Sequence, residues 1–285
     1  MTCYGSDPVS LKDLLTSERE YFEPMIARES RSTKEHKEEW ARETVRERHE
    51  RVSEEVYELC NREVKYGPFK GMRLSSKRWW GSRDRGSQCL GLYEKEVLDI
   101  IKVTPAKGWN TFIDIGAADG YYAIGMLSSG LARHAISYEL SEEGQATVLD
   151  NWELNDSAGT LASHSEATLA SLEATLPRDL VDSLVLIDIE GAEFALLSDK
   201  VLKLLSGSTV IVEIHNWVDD FTNKYSELLT RLDKWFQIAP IDRTERPTFH
   251  LAELRDLTDD NRLLLTSESR PCVMRFLKLT PKKDA

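Results

Sequence analysis

From Thr111 onward, short apolar runs alternate with segments whose apolar residues recur every three or four positions. The runs Thr111–Ile115, Ala135–Leu140, Ser183–Ile189 and Thr209–Ile214, with a weaker one at Thr160–His164, read as strands. Helical periodicity fills the gaps near Gly120–Ser129, Glu142–Asn155, Ala167–Leu176, Ala192–Leu205 and Asp219–Lys234. Strand and helix in alternation predict a parallel sheet covered on both faces. The strongest strands are unbroken apolar runs, the pattern of strands buried on both sides. After Trp235–Pro240 the chain turns polar until Pro271–Leu279, which reads as a closing strand. The expected fold class is α/β, a doubly wound, mostly parallel sheet with an N-terminal helical extension.

That extension has a different texture. Glu, Arg and Lys dominate from Glu29 to Lys65, which contains no Gly or Pro. Its sparse apolar residues, Trp40, Val45, Val52, Val56, Leu59 and Val64, form one narrow helical stripe with interruptions. It reads either as a charged helix laid on the main body or as a dimerisation arm that would make a homodimer. Earlier, Val9–Ile26 predicts a short helix ending near Pro24. A turn at Tyr66-Gly67-Pro68 opens an aromatic, basic stretch with Lys77, Arg78, Trp79, Trp80, Arg83 and Arg85, and then an amphipathic helix from Gly91 to about Lys102. The expected organisation is an arm over 1–66 and a main domain over 67–285, with 67–108 as lid and lead-in and 109–285 as core.

Composition narrows the class. Lys and Arg number 37 against 49 Asp and Glu, for a net charge of -12 over 285 residues. Such a balance disfavours a general nucleic-acid binder, which needs clustered basic residues for phosphates. No run of about 18 apolar residues predicts a membrane span. The first residues lack a basic segment followed by an apolar one, and Cys3, Cys60, Cys89 and Cys272 lie far apart. Together these point to a soluble cytoplasmic globular protein, an enzyme or an oligomeric binder.

The chemistry concentrates where strands end. Phe112-Ile113-Asp114-Ile115-Gly116-Ala117-Ala118-Asp119-Gly120-Tyr121-Tyr122 is a strand running into a glycine loop that opens a helix. Such a turn lets a ligand approach the backbone beside the positive end of a helix. Asp114, two residues before the first glycine, suits a ligand with an amino group or hydroxyls better than a dinucleotide phosphate. Glu139 ends the next strand, where a carboxylate can accept from both ribose hydroxyls. Leu186-Ile187-Asp188-Ile189-Glu190-Gly191-Ala192-Glu193 ends a buried strand in three carboxylates around a glycine turn. Ile211-Val212-Glu213-Ile214-His215-Asn216-Trp217 follows, and alternation puts Glu213 and His215 on one face. Ligands of open α/β sheets bind at these carboxyl ends, so Asp188, Glu190 and His215 are candidate catalytic residues.

FIDIGAADGYYAIG, SYEL, LVLIDIEGAEFALL and IVEIHNW, in this order and spacing, resemble the S-adenosylmethionine-dependent methyltransferases of the FkbM family, with IDIEGAE the most specific segment. The resemblance covers roughly Phe69 to Asn216 and implies a Rossmann-like methyltransferase fold. It implies that Asp114, Gly116, Ala117 and Gly120 hold the methionine part of the cofactor, Glu139 the ribose, and Ser165 and Glu166 the adenine, with Asp188 near the sulfonium. Asp119 would also lie on the cofactor, and Tyr121 and Tyr122 would offer a ring face or hydroxyl to the cationic centre or pack in the core. Ala118 stands where the class pattern has glycine, which a negative φ would tolerate.

Methyl transfer from a sulfonium needs an aligned acceptor and somewhere for its proton to go. His215 is the expected base. The alternative is Mg²⁺ held by Asp188, Glu190 and Glu213. The resemblance makes a small hydroxylated acceptor, such as a sugar, the expected substrate. Trp79 and Trp80 would stack on it, and Lys77, Arg78, Arg83 and Arg85 would hold a carboxylate or phosphate. Competing readings are a nicotinamide-dependent oxidoreductase, a methyltransferase acting on protein or nucleic acid, and a catalytically silent scaffold of the same fold.

Overall fold

The computed structural model describes residues 10–282 apart from 78, 104, 106, 107, 157, 158 and 273. Val9 and Arg78 therefore lie outside the described residues. The chain opens with helices α1 (Leu11–Arg31), α2 (Lys34–Trp40), α3 (Val45–Leu59), α4 (Arg85–Cys89) and α5 (Lys95–Ile101). Strands and helices then alternate: β1 (Trp109–Ile115), α6 (Tyr121–Ser128), β2 (Ala132–Tyr138), α7 (Glu142–Leu154), β3 (Thr160–His164) and α8 (Leu169–Thr175). Next come β4 (Ser183–Ile187), α9 (Glu193–Leu196), α10 (Asp199–Leu205), β5 (Thr209–Ile214), α11 (Phe221–Leu232), β6 (Phe236–Ile241), α12 (Asp259–Leu265) and β7 (Arg275–Pro281).

The strands form one sheet in the order β3-β2-β1-β4-β5-β7-β6. β1 to β5 pair in parallel, and β7 runs antiparallel between β5 and β6. This is a Rossmann-like, doubly wound α/β fold, and the chain reverses its winding direction between β1 and β4. Alternation divides the core cleanly. Phe112, Leu184, Leu186 and Ile211 pack on one face with residues of α3 to α6, while Ile113, Ile115, Val185, Ile187, Val210 and Val212 pack on the other with α8, α10 and α11. Among the described residues no helix is long and apolar enough to cross a membrane.

The N-terminal part departs from expectation. α1 does not stop near Pro24 but continues to Arg31. The flanks supply good helix formers (Leu, Glu, Arg, Ala), and these outweigh one unfavourable position. The single stripe is broken as well: Thr44 caps α3 in a reciprocal capping box with Glu47, which starts a new helix after Trp40. Val45 and Leu59 are 73% and 58% exposed. The buried face of α3 is instead His49, Val52, Ser53, Val56 and Tyr57, spaced for one side of a helix. Val52, Val56 and Tyr57 share a core with Phe112 and Tyr121, so residue 66 marks no packing boundary. Gly86 sets the closeness of α4 to α3: its N–H donates to Ser53 Oγ at 2.9 Å, and a β-carbon there would lie 2.8 Å from the Ser53 carbonyl oxygen.

Two other elements refine the expected order. The segment Phe236–Ile241 is a strand at the sheet edge, where one exposed face removes the continuous apolar signal. The expected helix over Ala192–Leu205 splits into α9 and α10 at Leu197 and Ser198.

Candidate active site at the carboxyl edge of the sheet

β1 ends at Ile115, and the chain turns at once through Gly116 at φ 93°. A β-carbon at Gly116 would sit 1.7 Å from the carbonyl oxygen of Asp188, so the loops after β1 and β4 touch backbone to backbone. Only glycine permits both the conformation and the contact. The N–H groups of Gly116 and Ala117 donate to the Tyr138 carbonyl at 2.9 and 3.0 Å. Ala118 is left-handed at φ 49°, contrary to the expected negative φ. A hydrogen bond holds it there: its N–H donates to Glu139 Oε2 at 2.9 Å, while Glu139 Oε1 accepts from Ser141 N–H at 2.8 Å. Glu139 lies just beyond β2 and braces the glycine loop from the neighbouring strand.

The remaining loop residues are equally engaged. Asp119 Oδ1 accepts from Tyr121 N–H at 3.1 Å, next to Gly120, which opens α6. Asp114 is buried and accepts from Ala123 N–H at 3.1 Å; burial pushes its pKa up to about 8. Tyr121 and Tyr122 are buried too, their hydroxyls donating to the Gln88 carbonyl at 3.2 Å and to Glu94 Oε2 at 2.7 Å.

Three adjoining cavities open along this edge. The first, about 450 Å³, is lined by Asp114, Gly116, Ala118, Asp119, Glu139 and Asp188, with Tyr121 and Trp79 on its walls. The second, about 500 Å³, shares Gly116, Glu139 and Leu140 with it and adds Tyr138, Ser165 and Glu166. The third, about 570 Å³, shares Trp79, Trp80, Asp188 and Glu190 with the first and adds Glu213, His215, Trp217 and Arg270. Every residue assigned to cofactor binding from the sequence therefore lies on, or within one position of, the walls of the first two cavities. The three candidate catalytic residues line the third.

His215 stands at the centre of that third cavity. Its Nδ1 lies 3.3 Å from Glu193 Oε1, which also accepts the His215 backbone N–H at 2.9 Å. Its Nε2 faces Asp188 Oδ1 at 3.4 Å, Glu190 Oε2 at 3.6 Å and Glu213 Oε2 at 3.7 Å. Burial opposes the imidazolium, but the bond to Glu193 and the charges of Asp188 and Glu190 outweigh it and raise the His215 pKa. Enclosure, with Glu94 nearby, pushes Asp188 up to about 7. Asp188, Glu213 and His215 present ligand atoms within 4.8 Å of one another. Glu190, which the sequence grouped with the carboxylates as a metal ligand, lies at the rim with 55% of its side chain exposed.

The basic lid divides. Trp79 and Trp80 line the first and third cavities, and Arg83 joins them in the third. Lys77 pairs with Asp150, and Arg85 is buried over the Tyr57 ring, donating to the Ser75 carbonyl. Neither faces the third cavity, because each already satisfies its charge within the fold. Two residues of the site were missed. Glu193 was visible as the third carboxylate of the Gly turn but lacked a role. Arg270 carried no signal: it is one of five Arg between Arg243 and Arg270 in a polar stretch, and the fold brings it to Glu94, Glu213 and Glu268.

No protein-family model matches this chain, and no curated protein matches its sequence. Solved structures with a similar chain course include an O-methyltransferase from Bacillus cereus in complex with SAH, at 13% identity and TM-score 0.44 over 81% of this chain and 90% of that one. Another is a dimethyladenosine transferase from Plasmodium falciparum, at 12% identity and TM-score 0.44, covering 67% of this chain and 61% of that one. A third is an O-methyltransferase from Streptomyces achromogenes in complex with SAM, at 13% identity and TM-score 0.42, over 61% and 74%. The fold assignment rests on this chain's own sheet order.

Proposed function

We propose that the protein is an S-adenosylmethionine-dependent methyltransferase that O-methylates a hydroxyl of a small acceptor such as a sugar. One observation carries the reading: the cavity under the glycine loop and the cavity around His215 meet at Asp188, so a methyl donor and an acceptor would share one wall. The residues fit the cofactor. Gly116 lines the first cavity and lets the loops after β1 and β4 close up beside it, Asp114 is a buried carboxyl suited to an amino group, and Glu139 and Tyr138 border the cavity that an adenosine would fill. The resemblance to the FkbM family supports the choice of oxygen as acceptor atom.

The cofactor supplies a methyl group already activated on a sulfonium. The chain's part would be to hold the acceptor oxygen in line with that methyl group, so that the C–O bond could form as the C–S bond breaks. Alignment of this kind is worth up to about 7–11 kcal/mol of barrier. Trp79 and Trp80 cover the junction and exclude water. The acceptor proton would pass to the cluster of Asp188, Glu190, Glu213 and His215: to the imidazole, or, were a divalent cation held there to stabilise the alkoxide, to a free carboxylate oxygen. The test is a calorimetric titration with S-adenosylmethionine, with NAD as comparison. Micromolar binding of the first alone is expected, and binding of NAD alone, or of neither ligand by folded protein, would overturn the proposal.

A further inference from the structure

The deepest polar feature of the third cavity is an imidazole nitrogen without a partner. His215 is 1% exposed in its side chain, and among the described residues its Nε2 makes no hydrogen bond. Three carboxylates surround that nitrogen at 3.4–3.7 Å, and Asp188 Oδ1 is likewise buried and unbonded. A buried polar atom without a partner costs free energy that a bound ligand recovers.

The far side of the imidazole shows how the nitrogen is prepared. Glu193 is fully buried; its Oε1 takes the His215 Nδ1 side, and its Oε2 accepts from Gly191 N–H at 2.9 Å. A carboxylate behind Nδ1 fixes a proton there, so a cation that displaces the proton favoured on Nε2 would meet a lone pair, the arrangement that orients histidine ligands of metals. Glu213 is held in the same way: Arg270 pairs with its Oε1 and leaves Oε2 toward Nε2. Ligand atoms about 2.1 Å from one ion stand roughly 3–4 Å apart; Nε2 lies 3.4 Å from Asp188 Oδ1 and 3.7 Å from Glu213 Oε2, and ligand atoms of the three residues lie within 4.8 Å of one another.

We propose that Asp188, Glu213 and His215 form a binding site for one divalent first-row transition cation, with Glu193 and Arg270 as positioning residues and Glu190 at its open side. The site takes Mn²⁺ in preference to Mg²⁺, because an imidazole ligand suits transition ions while Mg²⁺ demands oxygen. The inference rests on the methyltransferase reading only for the purpose of the ion, which is to lower the pKa of the acceptor hydroxyl. His215, bound through Nε2, is then a ligand and not the base. The carboxylate oxygen left free on Asp188 or Glu190 receives the proton.

The test is a Mn²⁺ titration of the full chain followed by electron paramagnetic resonance of the free ion, with Mg²⁺ and Zn²⁺ as competitors. One site per chain is expected, with Mg²⁺ at least about tenfold weaker. Glu193→Gln should weaken Mn²⁺ about 10–100-fold, and His215→Gln by more. Should His215→Gln fold poorly in circular dichroism, Asp188→Asn carries the same expectation. The proposal is overturned if Mn²⁺ and Zn²⁺ bind no tighter than millimolar, if Mg²⁺ matches Mn²⁺, or if the variants leave Mn²⁺ affinity unchanged. Failure of the methyltransferase reading shows separately, as absent S-adenosylhomocysteine binding by a chain that still takes up Mn²⁺.

Discussion

The loop after β1 and the pair of strand ends at β4 and β5 lie side by side, yet they meet their polar groups in opposite ways. Around Gly116–Tyr121 the hydrogen-bonding groups are satisfied internally: Glu139 braces Ala118, Tyr138 takes two N–H groups, and Asp119 and Asp114 accept from α6. Around His215 the fold gathers four carboxylates and leaves Nε2 and Asp188 Oδ1 unbonded. Strain follows the same division only in part, since Ala118 and Glu190 are both left-handed. The first region is a surface whose polar groups are already paired. The second keeps two buried polar atoms unpaired among the described residues, so a ligand bound there should change stability far more.

The sharpest way to break the first region is Gly116→Ala. Its β-carbon meets a backbone oxygen that cannot rotate away, and its φ is positive, so a loss of at least about 3 kcal/mol is expected in denaturant unfolding. In the second region, His215→Ala should leave S-adenosylmethionine affinity within about twofold yet reduce turnover at least about 100-fold. Full activity in that variant would remove His215 from the reaction. Glu139→Ala lies between the two, because it orphans two backbone N–H groups. A loss of about 1–3 kcal/mol in stability, accompanied by weaker cofactor binding, would mark Glu139 as a brace as well as a ligand.

Asp114 sharpens the comparison through pH. Its folded pKa near 8 lies above the ordinary carboxylate value, so the folded chain keeps a proton that the unfolded chain releases near 3.8. This group's contribution therefore favours the folded state at low pH and is lost as pH rises toward about 8. Asp114→Asn should flatten that slope in thermal melts between pH 5 and 8. Cofactor binding that charges Asp114 should release up to about one proton at pH 7, read by calorimetry in buffers of different ionisation heat. The smallest effect is expected from Ala118→Gly, which relieves a left-handed alanine worth about 1–2 kcal/mol at the cost of glycine's chain entropy, for a net gain below about 1 kcal/mol.

Local pattern was enough for the parts of the site that lie within single segments. The glycine loop, the acidic turn and the Glu213–His215 pair each sit where a strand ends, and alternation with period two or 3.6 located those ends. The lid was read less well, because charge along a sequence does not say which charges are already paired. Arg85 and Lys77 look as available as Arg83 until Tyr57 and Asp150 are folded against them. α3 differs from expectation for a related reason: five buried positions among many charges raise no average hydrophobicity, and their partner surface comes from α4 and α12.

The sequence by itself determined the alternation of strand and helix, the doubly wound sheet and the residue types at its carboxyl edge. These depend on periodicity and on backbone restrictions that act over a few residues. Only the tertiary structure decided that Ala118 is held by Glu139, that Glu193 stands behind His215, and that Arg270 reaches Glu213 across 57 positions of chain. Such pairings depend on strand order and register, which bring distant residues within a few ångströms and leave no trace in local composition.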